Sequence, residues 1–328
     1  MKAVVIESYG GPEVLRHRDI DVPVAEFGEV LVRVANAGIN FMDIGTRQGR
    51  YATSQSYKVK LPCTLGMEGA GEIVAVGQGV TRLRVGDRVA WCIAWGSYAE
   101  YAAVPEALAA KIPDAIGFDV AAAAMFQGCT AHYLVHDVAR LGQGTTCLVH
   151  AAAGAIGQII VQLAKDSGAK VIATASSEAK RDVARNRGAD HALPYGDGGF
   201  ADAVRALTDG QGADVVFDSV GLTTLRGSFR ATRKRGLIIS YGSVSGPVQD
   251  LDPLELGEAG SLFLTRPRLA DHMTDAVTVQ RRADAIFSAI AGGKLKVDIS
   301  GRYSLDNVAE AHARLEAREQ VGKPIVAI

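Results

Sequence analysis

Between residues 145 and 241 the chain alternates short apolar runs with longer stretches whose apolar positions recur every three or four residues. Thr146 to Val149, Lys170 to Ala175, Asp214 to Phe217 and Gly236 to Ser240 are short and rich in β-branched residues, and read as strands. His191-Ala192-Leu193 reads as a further short strand. Ile156 to Ala164, Glu178 to Arg187, Phe200 to Leu207 and Leu222 to Thr232 carry the helical period, with Ser176 or Ser177 placed to cap the second of these helices. Strands and helices in alternation predict a parallel, doubly wound sheet. Such sheets bind ligands at the carboxyl ends of their strands. Those ends are His150, Ala175, Asp218-Ser219 and Tyr241-Gly242.

The N-terminal third has a different rhythm. Met1 to Ser8, Val30 to Ala35, Gly71 to Gly77 and Asp87 to Cys92 are short strands between glycine-rich turns, which predicts a compact β-domain. The C-terminal part returns to mixed elements: helices over Asp275 to Ala291 and Leu305 to Ala317, then a strand from Pro324 to Ile328 that periodicity alone does not place.

Composition bounds the function. At 328 residues there is room for two domains, and 48% apolar with 22% charged residues is ordinary for a soluble globular protein. A net charge of −1 offers no general footprint for nucleic acid or an anionic membrane. One basic cluster, Arg226, Arg230, Arg233, Lys234 and Arg235, reads either as a solvated face or as a phosphate or RNA surface. No apolar run approaches the about 20 residues of a membrane span, and a strand starting at Met1 leaves no room for a signal peptide, so a cytoplasmic protein is expected. Cys63, Cys92, Cys129 and Cys147 form no C-x-x-C pair, so neither a structural zinc lobe nor a redox dithiol is read. Cys147 falls in a buried strand; Cys129 is placed near the start of a helix, where a thiol pKa can fall. His132 and His136 share a helix face without a third metal ligand.

The most informative segment is His150-Ala-Ala-Ala-Gly154-Ala-Ile-Gly157. It lies between a strand and a helix, where backbone N–H groups and the positive end of the helix dipole suit a dinucleotide pyrophosphate. It reads A-x-x-G-x-x-G, with Ala151 in the first position, so a plain tight turn is the alternative. About 20 residues beyond the glycines, NAD sites carry an acid for the ribose 2′-hydroxyl. Here Thr174-Ala-Ser-Ser177 carries none, and Lys180 and Arg181 follow. Hydroxyls with a cation suit a 2′-phosphate, hence NADPH; the alternative leaves both cations as solvated helix residues.

At this point several motifs converge on one family. Ala37-Gly-Ile-Asn-Phe-Met-Asp43, Gly66-Met-Glu-Gly-Ala-Gly71, Val85-Gly-Asp-Arg-Val89, Val149 to Gly154, Asp218-Ser-Val-Gly221 and Gly260 to Pro267 occur in the family's order. The chain resembles the zinc-free quinone oxidoreductases, the zeta-crystallin-like branch of the medium-chain dehydrogenase/reductase superfamily. The resemblance spans nearly the whole length. It implies an α/β protein with a GroES-like β-domain (residues 1–122 and 268–328) and a Rossmann doubly wound parallel-sheet domain (123–267). The final strand then belongs to the first domain. Zinc alcohol dehydrogenases of this superfamily carry G-H-E where this chain has Gly66-Met67-Glu68, and their catalytic cysteine falls within Asn36 to Asn40. A thioether and an amide make no zinc site, so substrates that accept hydride without a Lewis acid are expected.

The resemblance also implies site residues. Asn40 and Gln127 lie beside the nicotinamide and its ribose, with Thr130 starting the adjacent helix. Gly154, Ala155 and Ile156 hold the pyrophosphate; Ser176, Ser177, Lys180 and Tyr195 handle the adenine ribose and 2′-phosphate. Ser219, Gly242 and Ser243 lie over the cofactor, Phe263 and Thr265 flank the nicotinamide, and Lys323 is a C-terminal contact. Asn40 has a turn-capping alternative and Tyr195 a packing one. Relatives often carry an aromatic residue where this chain has Gly45, which is expected to widen the substrate cleft. Tyr51 is the candidate for substrate contact or proton donation, with packing as its alternative; Asp43 reads as structural. The implied function is metal-independent hydride transfer from NADPH to a quinone or similar conjugated carbonyl. The alternatives are an enoyl or alkenal reductase and a cofactor-bound RNA-binding or crystallin-like protein. A homodimer is implied, in which Ser261 to Thr265 extends the sheet across a two-fold axis.

Overall fold

The computed structural model describes residues 1–55, 57–195, 199–318 and 321–328. The chain divides into two compact units, Met1–Cys129 with His272–Ile328, and Thr130–Asp271.

The first unit opens with β1 (Lys2–Ile6), β2 (Arg16–Asp19), β3 (Glu29–Gly38), α1 (Phe41–Arg47), β4 (Cys63–Thr64), β5 (Glu68–Val76), β6 (Arg88–Cys92), β7 (Tyr101–Pro105), β8 (Ala109–Lys111) and α2 (Phe118–His132). β3 buries Val30, Val32 and Val34 on alternate positions, the period of a strand with one covered face. They pack with Ile73, Val89 and Trp91 from the neighbouring strands. Expectation and structure part at α2. Thr130 and Cys129 lie near the C-terminal end of this helix rather than at its start, and Cys129 is fully buried. The cause is the alanine run 121–124, which has helix propensity but no polar–apolar contrast to mark where the helix begins.

The second unit follows: β9 (Thr146–Val149), α3 (Ala155–Asp166), β10 (Lys170–Thr174), α4 (Glu178–Asn186), β11 (His191–Leu193), α5 (Phe200–Ala206), β12 (Ala213–Asp218), α6 (Leu225–Ala231), β13 (Thr232–Ser240), α7 (Leu254–Glu258) and β14 (Phe263–Thr265). Its sheet runs β11-β10-β9-β12-β13-β14, all parallel. The strand order reverses between β9 and β12, the switch point at which doubly wound sheets bind ligands. Leu148, Ile172, Val216 and Ile238 from four strands pack against Phe200, Val204 and Phe229. The strands are covered on both faces, which is why they read as continuous apolar runs.

The chain then returns to the first unit with α8 (Ala276–Ala291), β15 (Ile299–Tyr303), α9 (Val308–Glu316) and β16 (Lys323–Ala327). β16 pairs antiparallel with β3, Ile325 opposite Gly38 and Val326 opposite Ala37. Tertiary pairing therefore places the strand that periodicity left open. The resulting sheet runs β15-β16-β3-β5-β6-β8, with β7 also paired to β3. The first unit is a GroES-like β-domain and the second a Rossmann domain, in one α/β chain.

Candidate functional site

In the first unit, the junctions of β3 with α1, of β4 with β5, and the start of β16 bring polar side chains into the interior. Asn40 caps α1 in an extended conformation, and Asp43 Oδ2 accepts its backbone N–H at 2.7 Å. The Asn40 side chain does more than cap a turn. Its Nδ2 donates to Glu68 Oε2 at 3.0 Å, while its Oδ1 accepts from Gln127 Nε2 at 2.8 Å and from Lys323 Nζ at 2.7 Å. Lys323 also donates to Glu68 Oε2 at 2.6 Å, and Phe126 N donates to Glu68 Oε1 at 2.6 Å. Asn40, Gln127 and Lys323 are thus brought together, with Glu68 at their centre, all at most 5% exposed. Burial pulls the Lys323 pKa below its ordinary value, and the Glu68 carboxylate opposes that pull. Gln127 Oε1 is buried and has no partner among the described residues. A buried amide oxygen without a donor costs about 1–3 kcal/mol, so it suits a ligand hydroxyl.

Next to this set runs a second buried chain. Asp43 accepts from Met67 N (3.2 Å) and Tyr98 Oη (3.0 Å), and Tyr98 Oη lies 3.2 Å from His312 Nε2. Burial raises the Asp43 carboxyl to about 7, and burial with the nearby Arg47 charge lowers His312 to about 3. Arg47, itself fully buried, pairs with Glu316. Met67 is buried, and its backbone N–H donates to Asp43 Oδ1. Among the described residues no three His, Cys, Asp or Glu side chains are grouped to hold a metal ion.

Tyr51 packs over Gly45 in α1. A β-carbon at Gly45 would lie 2.6 Å from Tyr51 Cε2 and 3.3 Å from its Oη. The Tyr51 ring therefore covers the space that a side chain at 45 would take. Gly45 gives room to Tyr51 rather than simply opening a cleft, a correction that only three-dimensional packing reveals.

In the second unit the candidates gather at strand ends. Gly154 is the N-cap of α3 and offers no side chain to its first-turn amides; Ala155 and Ile156 are the first two residues of the helix. Gly157 has no alternative residue here, since a β-carbon would meet Ala151 O at 2.5 Å and Ala152 Cα at 2.8 Å. Ala151, in the position glycine holds in the commoner fingerprint, has φ +49°, a left-handed conformation that strains a β-carbon. Ser177 caps α4, its Oγ accepting from Lys180 N at 3.3 Å, and Ser176 is exposed beside it. Tyr195 follows β11, its ring edge-on to His150 with centroids 6.5 Å apart. Ser219, Gly242 and Ser243 come together after β12 and β13, where a β-carbon at 242 would lie 2.5 Å from Ser219 O. Phe263 and Thr265 lie on the edge strand β14, Phe263 63% exposed.

Sequence reasoning passed over several residues. Glu68 was read only as part of the Gly66-Met67-Glu68 segment, with no role of its own, and its lysine lies 255 positions away. His150 was read as a strand end, Thr174 as part of the acid-free stretch 174–177, and Arg266, which donates to Ser240 O at 3.0 Å and Gly242 O at 2.5 Å, as part of a motif. Two of the five cluster residues are paired within the unit, Arg226 with Glu255 at 2.8 Å and Arg233 with Asp214, while Arg230, Lys234 and Arg235 are exposed.

The family comparisons agree with this anatomy. Residues 26–114 match the alcohol dehydrogenase GroES-like domain and residues 155–272 the zinc-binding dehydrogenase domain. A quinone oxidoreductase of Pseudomonas aeruginosa is 40% identical over 326 residues, 99% of each chain. A 2-haloacrylate reductase of a Burkholderia species is 34% identical over 99% of this chain and 98% of its own. The crystal structure of Escherichia coli quinone oxidoreductase complexed with NADPH matches with a TM-score of 0.95 and 33% identity over the whole of both chains. The fold and its buried polar set define a medium-chain dehydrogenase/reductase. Within that superfamily, the chain belongs to the zinc-free quinone oxidoreductases.

Proposed function

We propose that this chain is an NADPH-dependent, metal-independent oxidoreductase that reduces quinones or similar conjugated carbonyls. The observation that carries the reading is the buried Asn40 amide, locked between the Lys323 ammonium and Gln127 where zinc relatives need metal ligands. NADPH supplies the hydride when bound, and the chain's own residues supply position. The uncapped first turn of α3 at Gly154, Ala155 and Ile156 takes the pyrophosphate. Ser176, Ser177, Lys180 and Tyr195, with no carboxylate from 174 to 177, take the ribose 2′-phosphate. Gln127 Oε1 and Thr130 Oγ1, both buried and without partners among the described residues, are acceptors suited to ribose hydroxyls. Ser219, Gly242, Ser243, Phe263 and Thr265 line the remainder of the cofactor path, and Lys323 acts on it through Asn40. Tyr51 donates its Oη proton to the reduced acceptor.

In this reading the first unit, Met1–Cys129 with His272–Ile328, handles substrate and the second, Thr130–Asp271, the dinucleotide; these bounds differ from the expected 1–122, 268–328 and 123–267. A cytoplasmic homodimer completes the reading: β14 is an edge strand with Phe263 exposed, a surface for sheet continuation between two copies. Among the described residues no helix is long and apolar enough to cross a membrane.

A second reading, reduction of activated alkenes such as alkenals or enoyl thioesters, rests on the 34% identity to a relative named 2-haloacrylate reductase. A panel of a benzoquinone, phenanthrenequinone, an alkenal and crotonyl-CoA, each with NADPH and with NADH in the presence of EDTA, tests both. Rapid NADPH-linked quinone turnover is expected. Turnover of the alkenal or thioester alone establishes the second reading. Silence on every acceptor, with NADPH still raising the melting temperature, overturns both in favour of a binding protein.

A further inference from the structure

The second unit holds a buried hydrogen-bond network that the proposed chemistry does not use. His150, fully buried at the end of β9, is engaged at both ring nitrogens: Nδ1 lies 2.8 Å from Thr174 Oγ1 and Nε2 lies 3.0 Å from Ser228 Oγ. Ser228 Oγ donates to Asp218 Oδ2 at 2.8 Å. Asp218 also accepts from Thr224 Oγ1 at 2.8 Å and from the backbone N–H groups of Val220 (2.9 Å) and Gly221 (3.0 Å). A carboxylate can only accept, so the Ser228 proton points to Asp218 and its oxygen accepts from His150 Nε2–H. The imidazole Nδ1 then accepts the Thr174 hydroxyl. This assignment needs a neutral ring, and burial does pull the His150 pKa below its ordinary value, with Asp218 opposing. Phe200, ring centroid 4.8 Å away, and Tyr195 close the surroundings.

The placement has a consequence. His150 directly follows β9 and Asp218 ends β12, the two strands between which the strand order reverses. Thr174 terminates β10, and its carbonyl accepts Ala152 N at 3.0 Å from the glycine turn. The network therefore ties together three strand ends: the one before Gly154, the one before Ser176 and Ser177, and the one before Ser219. Apolar side chains of similar volume would fill this space without the desolvation cost of five polar groups.

We propose that His150 and Thr174 are positioning residues for the cofactor site, holding residues 175–177 against the glycine turn and thereby setting the preference for NADPH over NADH. The proposal rests on the reading that this unit binds NADPH, and it adds residues that would touch no ligand.

The test is calorimetric titration of the wild type, Thr174→Val, Thr174→Ser and Ser228→Ala with NADPH and with NADH, alongside kcat and KM. Thr174→Val keeps the shape and removes the hydroxyl. It is expected to weaken NADPH binding about tenfold and NADH binding about twofold or less, with KM moving more than kcat. Thr174→Ser restores the hydroxyl and the preference, and Ser228→Ala shifts the ratio in the same direction as Thr174→Val. Equal weakening of both dinucleotides, or an unchanged ratio with a lower melting temperature, shows a structural role only and overturns the inference. The wild-type titrations report separately on the reading beneath it: a wild type that prefers NADH overturns the NADPH assignment, and one that binds neither overturns both.

Discussion

The two units keep polar groups inside in opposite ways. In the second, the interior network is neutral but for Asp218, and every member has its partners. In the first, Lys323, Glu68 and Arg47 are buried as charged groups beside Asp43, whose carboxyl burial raises to about 7, and polar atoms of Gln127, His312 and Arg47 have no partner among the described residues. A closed network fixes a frame at modest cost, whereas a charged one is held only while each partner is present. The contrast assigns the second unit to rigid presentation of the dinucleotide. It assigns the first to an interior in which several buried polar atoms, Gln127 Oε1 among them, have no partner among the described residues.

The largest expected effect comes from breaking the charged set. Lys323→Met leaves Glu68 buried and uncompensated, and should cost about 3 to 5 kcal/mol in urea unfolding. Adding Glu68→Gln should return most of it. If the single and double variants match, the pair is not the coupled unit described here.

Gly157→Ala probes the frame of the second unit. Its β-carbon must displace the backbone of Ala151 and Ala152, so a loss of about 1 to 3 kcal/mol and weakened NADPH binding are expected. Full binding with unchanged stability would mean that the turn is softer than its close contacts imply.

A pH series sharpens the contrast. Asp43 at about 7 stays protonated in the native chain while its unfolded counterpart, near 3.8, is ionised, so its contribution falls as pH rises between those values. His312 at about 3 stays neutral while its unfolded counterpart, near 6.5, is charged, so its contribution is lost as pH falls through 6.5. From 3.8 to 6.5 the two slopes oppose each other at about 1.4 kcal/mol per pH unit each, leaving the pair's net contribution nearly flat. Asp43→Asn should leave stability climbing up to pH 6.5, and His312→Gln should leave it falling up to about pH 7. Parallel profiles for wild type and both variants would contradict this.

The smallest effect is at Ala151. Glycine there relieves a left-handed alanine at some cost in unfolded-state entropy, for a net gain of a few tenths to about 1 kcal/mol in melting experiments.

The same contrast explains what could be read in the chain. The parallel strands of the second unit announce themselves because both their faces are covered, and the glycine turn because backbone must approach backbone. α1 was hidden by its seven-residue length and buried Asp43, and the start of α2 by alanines that mark no face. Asn40, Gln127 and Lys323 were named through family resemblance alone. Their convergence depends on β16 pairing with β3 across the length of the chain, which no local spacing records. Glu68 at the centre of that set, and Tyr51 lying over Gly45, belong wholly to packing.

The most direct measurement is NADPH-linked reduction of a benzoquinone before and after exhaustive chelation, with elemental analysis of the same sample. The account predicts unchanged turnover in protein free of zinc, because Lys323 and Asn40 already occupy each other where metal ligands would be needed. Turnover lost on chelation and restored by zinc would contradict it.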